Sequence, residues 1–274
     1  MARDKKLPMS KRDRERQKQQ DKANKPLAVG RILIVCEGEK TEPGYFKWWK
    51  EQLENIKKAA ISRTVGRIDI VPDDGIEVKG EGKNTESLVI RAIQYRDQAN
   101  IDYTRVWCVF DKDSFKPKQY NAAINKARKE NMKAAYTNEA FELWYLLHFN
   151  YVDTGVSREQ YQGMLTKLIG KKYKKNDPKM YEKLLKHPKS DQQQAIQHAK
   201  KLLKCYEGQT NYADHNPSTT VHELVEFLND HVWQFRCQVA PDYPLPYPHN
   251  CKQCEESVQP SPPYHCRRKI KAEL

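Results

Sequence analysis

Two apolar stretches of the chain each run into a group of acidic residues. The stretch RILIV precedes Glu37, Glu39 and Glu42, and the stretch VWCVF precedes Asp111 and Asp113. Side chains two positions apart on an extended chain point the same way, so Asp111 and Asp113 are expected to converge. Carboxylates held close together repel one another, and a hard divalent cation removes that repulsion. The pattern therefore predicts a Mg²⁺ or Mn²⁺ site; the alternative is that polar residues simply collect at exposed strand ends.

A parallel sheet would bring these acids together. Residues 32–35 and 106–110 are apolar throughout, as are the central strands of a sheet covered on both faces. Ligand sites of open parallel sheets lie off the carboxyl ends of the strands, where Glu37 and Asp111 both project if the two strands are neighbours. Strands that alternate with helices predict an α/β fold, with a mostly parallel sheet flanked by helices and followed by a helical C-terminal extension.

The other elements are predicted from hydrophobic periodicity and from capping and turn residues. The glycine-rich, charged segment 75–84 is predicted to be a loop. Further strands are predicted at residues 67–71 and 134–136, and helices at residues 43–61, 86–99, 120–131, 138–149, 158–169, 180–185, 191–206 and 219–235.

Composition divides the chain into four predicted segments. Prolines exclude regular structure near the end, and charged residues without apolar periodicity dominate the beginning. The predicted segments are a basic flexible arm (1–28), an α/β core (29–152), a helical, lysine-rich extension (153–236) and a Pro/Cys-rich tail (237–274).

The cysteines and the hydropathy of the chain favour a cytoplasmic protein. The 7 cysteines are an odd number in a sequence whose beginning does not resemble a secretory signal, which favours reduced thiols. No apolar run approaches the roughly 18 residues that span a bilayer, so no membrane partner is expected. Cys251 and Cys254 have the spacing of a zinc-binding pair, but the adjacent His265 and Cys266 cannot easily both ligate one ion. A proline-rich extended tail is therefore preferred to a zinc site.

The positive charge of the chain is concentrated in two segments. The net charge is +13, and residues 1–28 and 151–190 each hold ten Lys/Arg against four Asp/Glu. Two basic segments on a nearly neutral body indicate a polyanionic partner, most simply RNA or DNA. The alternative is a solvated tail and a lysine-rich surface helix.

The densest positive cluster begins at residue 171. Neutralising phosphates requires such charge, and Tyr173 or Tyr181 could stack on an unpaired base. The predicted nucleic-acid-binding residues are Lys171, Lys172, Tyr173, Lys174, Lys175 and Lys179.

Four blocks of sequence resemble a known family. They are RILIVCEGEKTEPGYF, VWCVFDKDSF, NEAFELWYLLHF and NPSTTVHELVEFL, in this order between residues 31 and 228. The glutamate after one apolar strand and the Asp-x-Asp pair after another resemble the Toprim domain of topoisomerases, primases and several nucleases. The closer resemblance is to the RloB family of restriction-linked, defence-associated proteins. It implies that the sheet is Toprim-like, that is, Rossmann-like.

The resemblance also implies roles for individual residues. Glu37, Asp111 and Asp113 would ligate the metal, and the glutamate would also act as general acid or base. Lys40 and Lys112 flank the acids and could neutralise a scissile phosphate, although ordinary surface lysines are an equally good interpretation. The predicted catalytic residues are Glu37, Asp111, Asp113, Lys40 and Lys112, and the predicted metal ligands are Glu37, Asp111, Asp113 and Glu142.

Glu142 is included because its surroundings are strongly apolar. It lies in FELWYLLHF, which is apolar around the whole helix and must be buried. A buried carboxylate requires a partner, which is either an arginine or the metal site. Glu39 or Glu42 could complete the coordination. His148 is interpreted as a packed aromatic residue rather than a ligand.

The predicted function is that of a Mg²⁺-dependent nuclease that hydrolyses RNA, possibly tRNA, or DNA as an effector of anti-phage defence by abortive infection. No GxxxxGK[ST] loop is present, so a partner ATPase would be a separate protein. A topoisomerase is disfavoured because the chain is short for a gate and a separate tyrosine-bearing domain, whereas a primase would share the acids. The alternatives of another class are a non-catalytic nucleic-acid-binding or sensor subunit and an interaction scaffold.

Overall fold

The structure, a computed structural model, describes residues 30–63, 74–82, 85–112, 116–240 and 242–245. The described strands are β1 (Arg31–Cys36), β2 (Ile76–Gly80), β3 (Tyr103–Asp111), β4 (Lys133–Asn138) and β5 (Ser218–Thr219). They form one sheet in the order β2-β1-β3-β4-β5. The first four strands are parallel, and the short β5 runs antiparallel to β4.

Helices cover both faces of this sheet. None in the described part of the chain combines the length and apolar character needed to cross a bilayer. The described helices are α1 (Thr41–Arg63), α2 (Thr85–Gln98), α3 (Pro117–Lys129), α4 (Glu142–Leu147), α5 (Arg158–Ile169), α6 (Met180–Lys186), α7 (Gln192–Lys204) and α8 (Val221–Val239), with a 3₁₀ turn at Tyr212–Asp214.

Alternate residues of β1 face the two sides of the sheet. Ile32 and Ile34 pack into a core built with α1 and α4 to α8, whereas Leu33 and Val35 pack with α2 and α3. All four side chains are fully buried, and each such burial contributes about 1.5–3 kcal/mol. The strand is apolar throughout because both faces are covered, and the predicted α/β layering is confirmed.

A segment that was predicted to be a loop contains a strand. The segment 75–84, predicted to be a loop, contains β2, and the predicted strand 67–71 lies outside the described residues. Ile76 pairs with Ile32 and is buried, whereas Glu77 and Lys79 are only half-buried. Because β2 is at the edge of the sheet, it tolerates these charges and lacks the continuous apolar run of a central strand.

The predicted helix 138–149 is shorter than expected. The chain continues as β4 to Asn138, and α4 begins only at Glu142. Pairing of β4 with β5 holds residues 137 and 138 in the sheet, so local helix propensity is overridden there. The other predicted helices are present, with ends shifted by a few residues.

The helices of the predicted extension share a core with α1. The indole nitrogen of Trp49 donates a hydrogen bond to Asn229 on α8 at 2.9 Å. Tyr181 on α6 stacks on Trp49 with ring centroids 4.5 Å apart. Stacked aromatic pairs contribute about 0.5–1.5 kcal/mol beyond the area that they bury. The C-terminal helices are therefore fixed to the element that follows β1.

Candidate functional site

The first and third strands deliver Glu37 and Asp111 to the same edge of the sheet. β1 and β3 are direct neighbours, with Cys36 opposite Val109. The backbone N–H of Glu37 donates to the carbonyl of Val109 at 2.8 Å. In turn, the Glu37 carboxylate accepts from the backbone N–H of Asp111 at 3.2 Å. The predicted proximity of these two acids is therefore borne out.

A cleft of about 530 Å³ opens at this edge. We call it the acidic cleft, because it contains four glutamates and one aspartate together with a smaller number of cations. Its lining comprises Glu37, Gly38, Glu39, Lys40, Thr41, Glu42, Gly82, Asp111, Phe141, Glu142, Arg158, Lys175 and Asn176.

The turn between β1 and α1 is closely packed against the end of β2. A Cβ atom on Gly80 would lie 2.7 Å from the carbonyl oxygen of Gly38 and 2.8 Å from the Cα atom of Glu39. The N–H of Gly82 donates to the carbonyl of Glu37 at 2.9 Å. A Cβ atom on Gly38 would lie 2.1 Å from a carboxylate oxygen of Glu42. Gly80 is thus needed for a close backbone approach that positions the turn carrying Glu37, whereas a Cβ atom on Gly38 would meet only the end of the flexible Glu42 side chain.

Asp111 is the most constrained acid of the cleft. The residue is 7% exposed, and Oδ2 accepts a hydrogen bond from the N–H of Phe141 at 3.0 Å. Oδ2 also forms an ion pair with Arg158 at 3.5 Å. Oδ1 is buried and has no hydrogen-bond partner among the described residues. Burial, followed by the charges of Glu42 and Glu142, raises the pKa of Asp111 well above its usual range, although Arg158 opposes this.

Glu42 lies in the same electrostatic environment. It is in the first turn of α1, where its carboxylate accepts from its own backbone N–H and is favoured by the helix dipole. Burial and the charge of Glu142 nevertheless raise its pKa, and the charges of Lys175 and Arg158 lower it. Asp111, Glu42 and Glu142 therefore interact as one group of mutually repelling carboxylates.

Glu142 is hydrogen-bonded to two neutral side chains, and its role as a metal ligand stays a prediction. Its Oε1 accepts a hydrogen bond from Gln162 at 3.0 Å and from the Tyr173 hydroxyl at 3.4 Å. Both donors are neutral, so they satisfy the carboxylate without removing its charge. The side chain is only 2% exposed and lines the acidic cleft. Arg158, which lines the same cleft, forms an ion pair with Asp111.

The lysine-rich segment contributes to the cleft, which the sequence did not predict. Residues 171–176 form a loop between α5 and α6 rather than part of a helix. The Thr41 hydroxyl donates to Asn176 at 2.9 Å, and a Cβ atom on Gly44 would lie 3.2 Å from Pro178. These contacts hold the loop against the first turn of α1. They bring Lys175 to the acidic cleft.

Other predicted site residues fall in several places. Lys40 lines the cleft and is exposed, whereas Lys112 is not among its lining residues. Asp113, Cys251 and Cys254 lie outside the described residues. Lys171, Lys172, Lys174, Lys175 and Lys179 are all exposed.

The predicted roles of the aromatic residues are corrected in part. Tyr173 is 9% exposed and Tyr181 is 1% exposed, so neither presents an exposed ring face for stacking. Both rings are drawn into the core that includes Tyr45 and Tyr145. His148 packs edge-on against Trp144, and its burial lowers its pKa to about 4. It is therefore neutral near pH 7, as a packed aromatic residue should be.

The carboxylate oxygens of the acidic cleft are the type of ligand atom that a divalent cation prefers. Hard cations such as Mg²⁺ take carboxylate and water oxygens. Oδ1 of Asp111 is buried, and the charges of Glu42 and Glu142 repel a negative charge on this carboxylate. A cation bound there would relieve that repulsion. Within the described ranges, however, no three His, Cys, Asp or Glu side chains form a group ready to hold a metal ion. Asp113 does not belong to those ranges.

The fold and the acidic cleft define an α/β protein with a carboxylate site at the carboxyl ends of its strands. The family model described as RloB-like protein matches residues 32–228. The chain therefore belongs to the RloB-like family. No curated protein and no solved structure matches the chain significantly.

Replacing Gly80 by alanine should destabilise the protein, because the new Cβ atom would meet the backbone of the turn that carries Glu37. Overpacking of this kind costs about 1–3 kcal/mol. Gly163 is the matched control: it lies within α5, and a Cβ atom there would meet nothing within 4 Å. Gly163→Ala should stabilise the protein by about 0.5–1 kcal/mol. Urea unfolding measures both changes, and equal effects would contradict the close approach.

Asp111→Asn should remove stabilisation by divalent metal. At 100-fold excess over Kd, Mn²⁺ should stabilise the wild type by about 2.7 kcal/mol, which is measured as a rise in Tm. Without metal the variant should be at least as stable as the wild type at pH 7. The raised pKa of Asp111 means that its ionisation destabilises the folded state as pH rises above the unfolded value.

The matched control for this experiment is Asp102→Asn. Asp102 is exposed and precedes the opposite end of β3. It should retain the full metal-dependent rise in Tm. A rise of the same size in Asp111→Asn would show that the metal binds elsewhere.

Proposed function

We propose that the protein is a Mg²⁺- or Mn²⁺-dependent nuclease that hydrolyses phosphodiester bonds of RNA or DNA. The observation that carries this proposal is the meeting of Glu37 and Asp111 at the ends of neighbouring strands, in one cleft with Glu42 and Glu142. Acids that converge at the carboxyl ends of parallel strands suit metal-assisted phosphoryl transfer.

Asp111 and Glu37 would hold the metal, with Asp113 as the third ligand implied by the family resemblance. A bound divalent cation supplies positive charge that offsets both the converging carboxylates and the substrate phosphate. Glu142, held by Gln162 and Tyr173, lines the same cleft and would be a further ligand.

Cationic side chains of the chain bind the substrate phosphate. Lys175 and Lys40 line the cleft and can contact phosphate oxygens directly. Arg158 is held by its ion pair with Asp111 and keeps that carboxylate oriented. The family resemblance implies that Glu37 also acts as general acid or base; it lines the cleft and its carboxylate accepts a hydrogen bond from the backbone N–H of Asp111.

The proposed biological setting rests on the family alone. We assign the protein to anti-phage defence as an effector of abortive infection, acting in the cytoplasm with a separate ATPase as its partner. Nucleic acid is its substrate, and the exposed lysines of residues 171–179 supply the charge for that contact.

A non-catalytic nucleic-acid-binding or sensor subunit is the second candidate. It is favoured by the ion pair between Asp111 and Arg158, which partly neutralises the acid that a metal would need. Such a subunit would bind nucleic acid equally well with and without divalent metal, so metal titration distinguishes the two functions.

Purified protein incubated with total tRNA, mRNA and plasmid DNA should cleave at least one of them, and only when Mn²⁺ or Mg²⁺ is present. Glu37→Gln and Asp111→Asn should each lower the cleavage rate by about 10²–10⁴-fold, as removal of an acid–base or ligand carboxylate does. Asp102→Asn is the control and should cleave normally. Cleavage by Asp111→Asn at the wild-type rate would refute the assigned site.

Replacing Lys171, Lys172, Lys174 and Lys175 together by glutamine should weaken nucleic-acid binding at low salt. The salt dependence of log K should become shallower, because each phosphate that a lysine no longer neutralises removes about 0.7–0.9 from the slope. Fluorescence anisotropy between 50 and 200 mM salt (about the range in which such effects are large) measures both the affinity and the slope. An unchanged slope would mean that these lysines only solvate the surface.

A further inference from the structure

A second cleft is lined by the other end of the loop that carries Lys175. Its volume is about 460 Å³, which is within the range of about 300–1,000 Å³ typical of ligand pockets. We call it the lysine cleft. Its lining includes Lys171, Lys172 and Lys174 from the loop, and Ile169, Met180 and Pro188 from the flanking elements.

The rim of the lysine cleft carries uncompensated positive charge. Lys171, Lys172 and Lys174 are exposed, and none of them forms an ion pair with a carboxylate of the described residues. Lys183, which also lines the cleft, is paired with Asp177. The net charge at the rim is therefore positive, and its complement is an anion such as a nucleic-acid backbone.

The interior of the lysine cleft is apolar, unlike that of the acidic cleft. Met180 is 3% exposed, and Ile169 is half-buried at the end of α5. Proteins that bind single strands combine a positive groove with aromatic side chains on which the bases stack. In the lysine cleft, the apolar side chains of Ile169 and Met180 would take the place of those aromatic rings. A base within a duplex cannot reach such a surface, whereas an unpaired base can.

The two clefts share a wall. Tyr173 is among the lining residues of the lysine cleft, while its hydroxyl donates to Glu142 of the acidic cleft at 3.4 Å. Lys174 lines the lysine cleft and Lys175 lines the acidic cleft. Because these residues are consecutive, their Cα atoms are about 3.8 Å apart. A nucleotide in one cleft would therefore be close to its neighbouring phosphate in the other.

We propose that the lysine cleft holds the base of an unpaired nucleotide next to the phosphodiester group in the acidic cleft. The substrate is then a single-stranded segment or loop of nucleic acid rather than a continuous duplex. This inference rests on the proposed function, because it assigns the phosphodiester group to the acidic cleft.

The test measures binding by the full chain in EDTA, so that cleavage does not interfere. Three fluorescein-labelled probes of equal length are compared by anisotropy: a single strand, the same strand in a blunt duplex, and a strand that lacks its bases. Contact of a base with the apolar interior removes apolar surface from water, so the intact single strand should bind at least about 5-fold more tightly than the base-free strand. It should also bind more tightly than the duplex. Equal affinity for the intact and base-free strands would overturn the inference.

A variant tests whether the lysine cleft is the part of the protein that prefers strands with bases. Ile169→Asp places a charge in the lysine cleft and should reduce the ratio of intact to base-free affinity to about one. Ile90→Asp is the matched control, since Ile90 is an exposed isoleucine of α2 (40% exposed); it should keep the wild-type ratio. If both variants keep the ratio, the base binds elsewhere and the inference fails. If Ile169→Asp does not fold, the three probes with the wild-type chain still decide.

Adding Mn²⁺ separates this inference from the proposed function. Preference for intact single strands without any cleavage would support the lysine cleft and contradict the nuclease. Cleavage of duplex and single strand at equal rates would support the nuclease and contradict the lysine cleft. Faster cleavage of the single strand, abolished in Ile169→Asp and kept in Ile90→Asp, supports both.

Discussion

The pairing register of β1 and β3 is the constraint on which the acidic cleft depends. With Cys36 opposite Val109, the residues that follow each strand emerge at one edge of the sheet. A slip of one residue would turn Asp111 to the opposite face, because the side-chain period of a strand is two. Burial of both strands on both faces fixes this register. Burial of the apolar core thus stabilises the fold enough to offset the repulsion between the acids.

The positive charges that balance these acids come from a different part of the chain. Arg158 begins α5, and Lys175 lies in the loop before α6. Both lower the pKa of Glu42, and Arg158 also lowers that of Asp111. The C-terminal helices are therefore part of the site as well as of the core, since they determine how much of the carboxylate repulsion remains.

The sequence predicted the structure correctly where the pattern within one strand or helix is sufficient to determine it. The apolar runs predicted β1 and β3, and their acidic ends predicted where Glu37 and Asp111 lie. The sequence was misleading where contacts between distant segments determine the secondary structure. The edge strand β2 contains charged residues, and pairing with β5 extends β4 to Asn138. Arg158 and Asn176 could not be found from spacing, because each reaches the cleft only through packing between distant segments. Tyr173 looked like a surface residue among lysines, but its ring is buried.

The hydrogen bond from Thr41 to Asn176 has a consequence for affinity. It fastens the loop to a helix that is itself anchored in the core by Trp49. Lysine side chains on freely moving loops lose backbone as well as side-chain entropy when they are immobilised by a ligand. Here the backbone around Lys175 is already ordered before any ligand arrives, so only the rotamers of the side chain are left to restrict. A ligand that binds in the acidic cleft would contact a lysine whose backbone position is already fixed.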